Sequence, residues 1–136
     1  MSDDVILAKA QTVEQCMARA REELAASSDF ATDLTRQDAA ILNIQRACEA
    51  SVDIAFRLVR LKGLGAPATN REAFDLLVQA QLIEADLAAA LKRMVGFRNV
   101  AVHRYTDLEV SIVERVIRTG LEDIAAFVAL ALRVRS

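Results

Sequence analysis

Apolar side chains recur every three or four residues along this chain, which is the spacing of helices with one buried face. The first such face contains Ile6, Ala10, Val13, Met17, Ala20 and Leu24. The polar segment Ser27-Ser28-Asp29 follows it, and we expect a loop from there to about Thr35. The pattern therefore predicts a long amphipathic first helix.

A second helix is predicted to begin at Thr35 or Arg36, and it has two neighbouring apolar faces. One face contains Ile41, Ile44, Cys48, Ala55 and Leu58. The other face contains Ala40, Ala47, Ile54 and Leu61. Two such faces predict a helix that packs on more than one side or that also forms a dimer interface. The residues that then end this helix are Gly63, Gly65 and Pro67.

A short third helix is predicted at about residues 70–80, because Thr69 and Glu72 have the spacing of a capping box. We expect a break near Gln81, although no glycine or proline marks it. A fourth helix is predicted at about residues 84–103. The apolar residues on one of its sides are Leu87, Leu91, Met94, Val95 and Val102.

A fifth helix is predicted after a turn at residues 104–106, because Thr106 and Glu109 have the same capping-box spacing. Its inward positions are Val113, Val116, Ile117, Gly120, Ile124, Phe127, Val128 and Ala131. The chain has 136 residues, of which 54% are apolar, with one proline and four glycines. We therefore expect one domain over residues 1–136, all-α, built as an antiparallel four-helix bundle with an additional short helix.

Charge and composition limit the classes of function that the chain can have. The net charge of −2 provides no global attraction to nucleic acid, although residues 57–136 carry 12 basic and 9 acidic side chains against 5 and 10 in residues 1–56. The absence of tryptophan and the scarcity of aromatic residues argue against a surface that stacks single-stranded bases. One histidine and two separated cysteines have no metal-ligand spacing, so we expect no metal and no other cofactor.

The cysteines and the two ends of the chain indicate a cytoplasmic protein. Cys16 and Cys48 lie at apolar helical positions, which predicts reduced core residues rather than a disulfide. The acidic N-terminus does not resemble a signal peptide. The longest apolar run, residues 124–132, is too short to span a bilayer, so we expect no membrane association.

The segment Arg98-Asn99-Val100-Ala101-Val102-His103-Arg104-Tyr105 carries the candidate chemistry, because it holds the only histidine and the only tyrosine of the chain. Arg98 occupies a position where the apolar side of the fourth helix would continue. Its guanidinium must therefore be paired, or must open onto a cleft or a partner subunit. Asn99 and His103 are four residues apart and can hydrogen-bond, which would orient the imidazole.

The same residues also fit a purely structural role. Arg98 can pair with a core carboxylate, for which Asp53 on the second helix is the candidate. His103 can interact with the carbonyl groups at the end of its helix, and Tyr105 can be an ordinary half-buried packing residue. Residue types and spacing leave both interpretations open.

The motif R-x4-H-x-Y, formed here by Arg98, His103 and Tyr105, resembles the signature of HepT-like toxins in the HEPN superfamily. The resemblance extends over nearly the whole chain in length and helix order, and it implies a HEPN-like bundle. It also implies a homodimer or higher homo-oligomer that acts as a metal-independent endoribonuclease toxin on RNA. The partner it implies is an MntA-like nucleotidyltransferase antitoxin, which neutralises the toxin by transferring AMP from ATP to Tyr105.

These residue types suit RNA cleavage in which the ribose 2′-hydroxyl attacks the adjacent phosphate. An imidazole with an unperturbed pKa of about 6.5 can act as base or acid, Arg98 can stabilise the phosphorane charge, and Asn99 can position the imidazole. One histidine cannot be acid and base at once, so we expect a composite site with His103 from two subunits. The alternative is a non-catalytic helical protein that binds the nucleotidyltransferase and accepts AMP.

Overall fold

The computed structural model describes residues 4–103 and 108–136, and these form helices without a strand. The helices are α1 (Asp4–Ala26), α2 (Leu34–Leu61), α3 (Asn70–Gln79), α4 (Ala85–His103), α5 (Val110–Arg115) and α6 (Leu121–Val134). A π-helical segment, Val116–Gly120, joins α5 to α6, so that the three together form the last long helix of the bundle. The predicted all-α antiparallel bundle with one additional short helix is confirmed.

The core surrounds α2, which packs against α1, α3, α4 and α6. The two predicted apolar faces of α2 are buried except at Leu61, which is 40% exposed at the end of the helix. Packing on several sides therefore explains the two faces. The largest fully buried side chains include Ile44, Ile54 and Leu58 of α2.

The short helix α3 is fixed to the core by an aromatic pair and begins at the predicted capping box. Phe74 meets Phe127 of α6 edge to face, with ring centroids 5.7 Å apart. The Thr69 side chain accepts a hydrogen bond from the Glu72 backbone N–H at 3.1 Å, and the Glu72 carboxylate accepts one from the Ala68 N–H at 2.7 Å. Both bonds satisfy backbone donors that have no partner inside the helix.

The predicted break after α3 occurs at Gln81, whose φ of 61° lies in the left-handed region. This conformation costs a non-glycine residue energy and turns the chain toward α4.

The prediction that Val102 lies on the buried side of the fourth helix is wrong, because its side chain is 44% exposed. Phe97 and Ala101, at 8% and 3% exposure, provide the buried face near the end of α4 instead.

The start of the last helix differs from the prediction. Helix α5 begins at Val110, with Glu109 in an extended conformation as its N-cap and no side-chain capping bond. The predicted capping box of Thr106 with Glu109 therefore does not start the helix, and Thr106 lies outside the described residues. Leu108 and Val110 at this point are partly buried and pack against the core.

The inward positions predicted for the last helix are buried except Gly120, the last residue of the π-helical segment. Within that segment Gly120 is only partly buried, whereas the next residue, Leu121, is fully buried. The wider π turn shifts the buried position by one residue, which a regular helical period cannot predict. No helix in the described part of the chain combines the length and apolar character needed to cross a membrane.

Candidate functional site

Arg98 lies in the middle of the buried face of α4, as the sequence predicted. The side chains of Met94, Val95 and Ala101 on this face are each at most 6% exposed, whereas the side chain of Arg98 is 30% exposed. An arginine at such a position loses part of its hydration and must recover hydrogen bonds from the protein. The structure shows where those bonds come from.

The partner of Arg98 is Glu49 of α2. One carboxylate oxygen, Glu49 Oε1, accepts hydrogen bonds from Arg98 Nη2 at 2.9 Å and from Arg98 Nε at 3.3 Å. The Asn99 side-chain oxygen accepts a longer bond of 3.4 Å from Arg98 Nη1. The guanidinium is thus held from a second helix and also contacts its own neighbour in the chain.

Asp53, the candidate partner of Arg98 that the sequence left open, pairs with another residue. Asp53 Oδ2 instead lies 3.0 Å from the ammonium nitrogen of Lys9 on α1. Glu49 precedes Asp53 by four residues, or about one turn of α2, so the carboxylate that meets Arg98 lies one turn earlier on α2 than the candidate. Glu49 is exposed, and no apolar or motif pattern in the sequence marked it.

A cavity of about 160 Å³ lies beside the Arg98 guanidinium. Its lining combines two carboxylates, an amide and apolar groups: Cys48, Glu49, Val52, Asp53, Asn70, Val95 and Arg98. Burial raises the pKa of the Cys48 thiol to about 12, although the nearby positive charge of Arg98 opposes the shift. The Cys48 side of the cavity is therefore uncharged at neutral pH. The charge of the cavity lining comes from the two carboxylates and Arg98.

Of the other predicted site residues, the structure describes Asn99 and the backbone of His103. Asn99 is exposed on α4 and contacts Arg98. His103 is the last residue of α4, one turn after Asn99, but its side chain lies outside what the structure describes. Tyr105 also lies outside the described residues. The hydrogen bond between Asn99 and His103 therefore stays a prediction.

Titratable groups near Arg98 are carboxylates rather than a metal-ligand set. Among the side chains that the structure describes, in residues 5–102 and 108–136, no group of three or more His, Cys, Asp or Glu is arranged to hold a metal ion. The charged groups among the described residues that line the cavity are the Arg98 guanidinium and the half-exposed carboxylates of Glu49 and Asp53. Such a site can bind an anionic group through Arg98 and can accept hydrogen bonds beside it.

Comparisons with known proteins agree on one family. The family profile described as "Ribonuclease HepT-like" matches residues 13–131. The mRNA nuclease HepT of Shewanella oneidensis is 43% identical over 126 residues, which are 93% of this chain and 95% of that protein.

Solved structures give the same answer at the level of the fold. A crystal structure of a toxin–antitoxin with AMP-PNP matches with a TM-score of 0.90 and 41% identity, covering 95% of this chain and 98% of that chain. A tri-AMPylated HEPN toxin of Shewanella oneidensis in complex with MNT antitoxin matches with a TM-score of 0.89 and 42% identity. The match covers 94% of this chain and 96% of that toxin chain.

Proposed function

The chain belongs to the family of HepT-like ribonucleases, and from this membership we propose that it is the RNA-cleaving toxin of a toxin–antitoxin pair. The observation that carries the proposal is Arg98, a cation on the core-facing side of α4 that lines a cavity and precedes His103 by five residues on the same helix. A packed bundle gains little from a charge at such a position, whereas a phosphate-binding site requires one.

In the proposed reaction the ribose 2′-hydroxyl attacks the adjacent phosphorus. A bond forms between the 2′-oxygen and phosphorus, the bond to the 5′-oxygen breaks, and the products are a 2′,3′-cyclic phosphate and a 5′-hydroxyl. Arg98 stabilises the negative charge of the phosphorane, an effect of about 10²–10³ in rate for one well-placed donor. These steps use side chains of the protein alone, so we propose that cleavage does not depend on a metal ion.

Two protons must move in this reaction. His103 takes the proton of the 2′-hydroxyl as the base, and a second imidazole donates a proton to the leaving 5′-oxygen as the acid. The chain contains one histidine. We therefore propose a homodimer in which two copies of His103 complete one site, with Asn99 orienting the imidazole.

The proposed partner is a nucleotidyltransferase antitoxin of the MntA type that modifies Tyr105. The phenol oxygen attacks the α-phosphorus of ATP, its proton leaves, the new oxygen–phosphorus bond forms, and pyrophosphate departs. Each AMP adds a phosphodiester charge and a bulky nucleoside two residues after His103, which opposes binding of RNA by repulsion and occlusion. The tri-AMPylated state of the Shewanella oneidensis toxin supports this proposal.

Expression of the chain without its antitoxin tests the function. We expect growth arrest and RNA decay with the wild type, and normal growth with Arg98→Ala or His103→Ala at equal protein levels. Circular dichroism and thermal unfolding of the purified variants confirm that the fold is intact. A harmless, folded and unmodified wild type contradicts the proposal and favours the non-catalytic AMP acceptor.

A further inference from the structure

We propose that Glu49 is a positioning residue that holds the Arg98 guanidinium ready for the RNA phosphate. This inference rests on the proposed RNA cleavage and adds a residue from α2 to a site that the motif places on α4 and in the segment that follows it. The evidence is the pair of hydrogen bonds that Glu49 Oε1 accepts from Arg98 Nη2 and Nε.

Glu49 occupies one edge of the Arg98 guanidinium, and the hydrogen-bond donors of the other edge stay available to a ligand. Nε and Nη2 form one edge of the planar group, and Glu49 takes both of these donors with a single oxygen. Nη1 and Nη2 form a second edge, which can donate two parallel hydrogen bonds to two phosphate oxygens. Asn99 Oδ1 contacts Nη1 at 3.4 Å, a weak bond that a phosphate oxygen can replace.

Glu49 assists cleavage by holding the Arg98 side chain in place before RNA binds. A free arginine side chain samples many rotamers and must lose that freedom when it binds the transition state. Two hydrogen bonds from α2 remove much of the freedom before RNA arrives, so the charge lies where the phosphorane develops. The Glu49 side chain is 49% exposed, so its ion pair contributes little to the stability of the fold.

The opposite effect of Glu49 would be competition of its carboxylate with phosphate for Arg98. The geometry argues against competition, because the contacts of Glu49 leave the Nη1–Nη2 edge to other ligands. A half-exposed carboxylate is also screened by water and salt. The two effects have opposite consequences for a Glu49→Ala variant, and an assay separates them.

The test compares cleavage of a purified RNA by the unmodified wild type, Glu49→Ala, Glu49→Gln and Arg98→Ala. We expect kcat of Glu49→Ala to fall about 10- to 100-fold, the scale of a misplaced catalytic group. Glu49→Gln keeps an oxygen acceptor and should recover most of kcat, with KM unchanged or lower because a negative charge is removed. The recovery by glutamine identifies hydrogen bonding rather than charge as the positioning force.

Asp75→Ala is the matched control. Asp75 of α3 pairs with Lys92 of α4, and its side chain is as exposed as that of Glu49, at 49%. The control thus removes an equivalent carboxylate from a cation on the same helix, away from the cavity. We expect wild-type kcat and KM from Asp75→Ala.

A double-mutant cycle separates positioning from a general structural effect. If Glu49 acts through Arg98, the double variant Glu49→Ala with Arg98→Ala should cleave no more slowly than Arg98→Ala alone. Additive losses, wild-type kcat in Glu49→Ala, or faster cleavage by Glu49→Ala would each overturn the inference while the proposed function stands. A wild type that cleaves no RNA overturns the proposed function and the inference with it.

Discussion

Arg98 shows how far a single residue can be understood from the sequence. Its place on the apolar side of a helix predicted a guanidinium that is paired, or that opens onto a cleft or a partner subunit, and the structure contains an ion pair and a cavity. The identity of the partner could not be predicted, since it depends on the axial position of α2 against α4. Periodicity within one helix shows which residues lie on the same face. Glu49 and Asp53 lie on one face, one turn apart, so periodicity does not distinguish them.

Cys48 provides a residue-scale prediction about pH. Burial raises the pKa of its thiol to about 12, above the value of about 8.5 for a free cysteine. The stability linked to this group is therefore complete below pH 8.5 and is lost as the pH rises toward 12. At pH 8.5, iodoacetamide should modify Cys48 only after unfolding, as measured by mass spectrometry of the peptide.

The control for the cysteine experiment is the same labelling in denaturant, where Cys48 and Cys16 should react equally. Both thiols are buried in the folded protein, and burial also raises the pKa of the Cys16 thiol. Rapid modification of Cys48 in the folded protein would show that the cavity opens to the reagent and would contradict the described packing.

Tyr105 is the residue that we propose accepts AMP. Tyr105→Phe removes the phenol oxygen that would accept AMP and leaves Arg98 and His103 in place. We expect this variant to stay toxic when its nucleotidyltransferase partner is co-expressed, while the wild type is neutralised and its mass rises by whole AMP units. Normal neutralisation of Tyr105→Phe, measured by growth and intact mass, would exclude Tyr105 as the essential acceptor.

Among the helices, the predicted start of the third helix is confirmed and the predicted start of the last helix is wrong. Thr69 was predicted as a cap, and the structure has its capping bond. Thr106 was predicted as a cap as well, yet the helix begins at Val110. The π-helical segment had no sequence signal, since its effect is one extra residue before Leu121 within an otherwise regular pattern.

Removal of the α3 cap should measurably weaken the fold. Thr69→Ala deletes the acceptor of the Glu72 N–H, and we expect the free energy of unfolding to fall by about 1 kcal/mol. Chemical denaturation with an unchanged m-value measures this effect. A loss below about 0.3 kcal/mol would mean that the cap contributes little beyond the packing of Phe74.

Thr12→Ala is the matched control for the cap. Thr12 is exposed within α1, and its hydroxyl donates to the Ala8 carbonyl at 3.3 Å without capping a helix end. Alanine has the higher helix propensity, so stability should stay constant or rise by up to about 0.7 kcal/mol. The opposite signs of the two threonine substitutions distinguish capping from loss of a hydroxyl in general.

At the scale of the whole molecule, helical periodicity predicted the bundle because most of its stability comes from burying amphipathic faces. The site is harder to predict, since one chain supplies one histidine for a reaction that moves two protons. The second half of the proposed site lies on another copy of the chain, and a pattern within one sequence does not contain the geometry between copies.

The proposed homodimer rests on this proton count. We expect the purified toxin to have twice the chain mass of 14.9 kDa by light scattering, or a larger even multiple. Hybrid dimers of one wild-type and one His103→Ala subunit, isolated with two affinity tags, should lose more than 90% of the cleavage rate, because acid or base is missing. Half of the wild-type rate in the hybrid would indicate two independent sites.

The proposed metal-independent mechanism is tested by cleavage of purified RNA in excess EDTA, with the ends of the products identified by mass spectrometry. The wild type should cleave under these conditions and leave a 2′,3′-cyclic phosphate, a 2′-deoxy substitution at the scissile position should block cleavage, and His103→Ala should be slower by about 10²–10⁴. Cleavage that requires a divalent metal, survives the 2′-deoxy substitution or persists in His103→Ala would contradict the mechanism proposed for this protein.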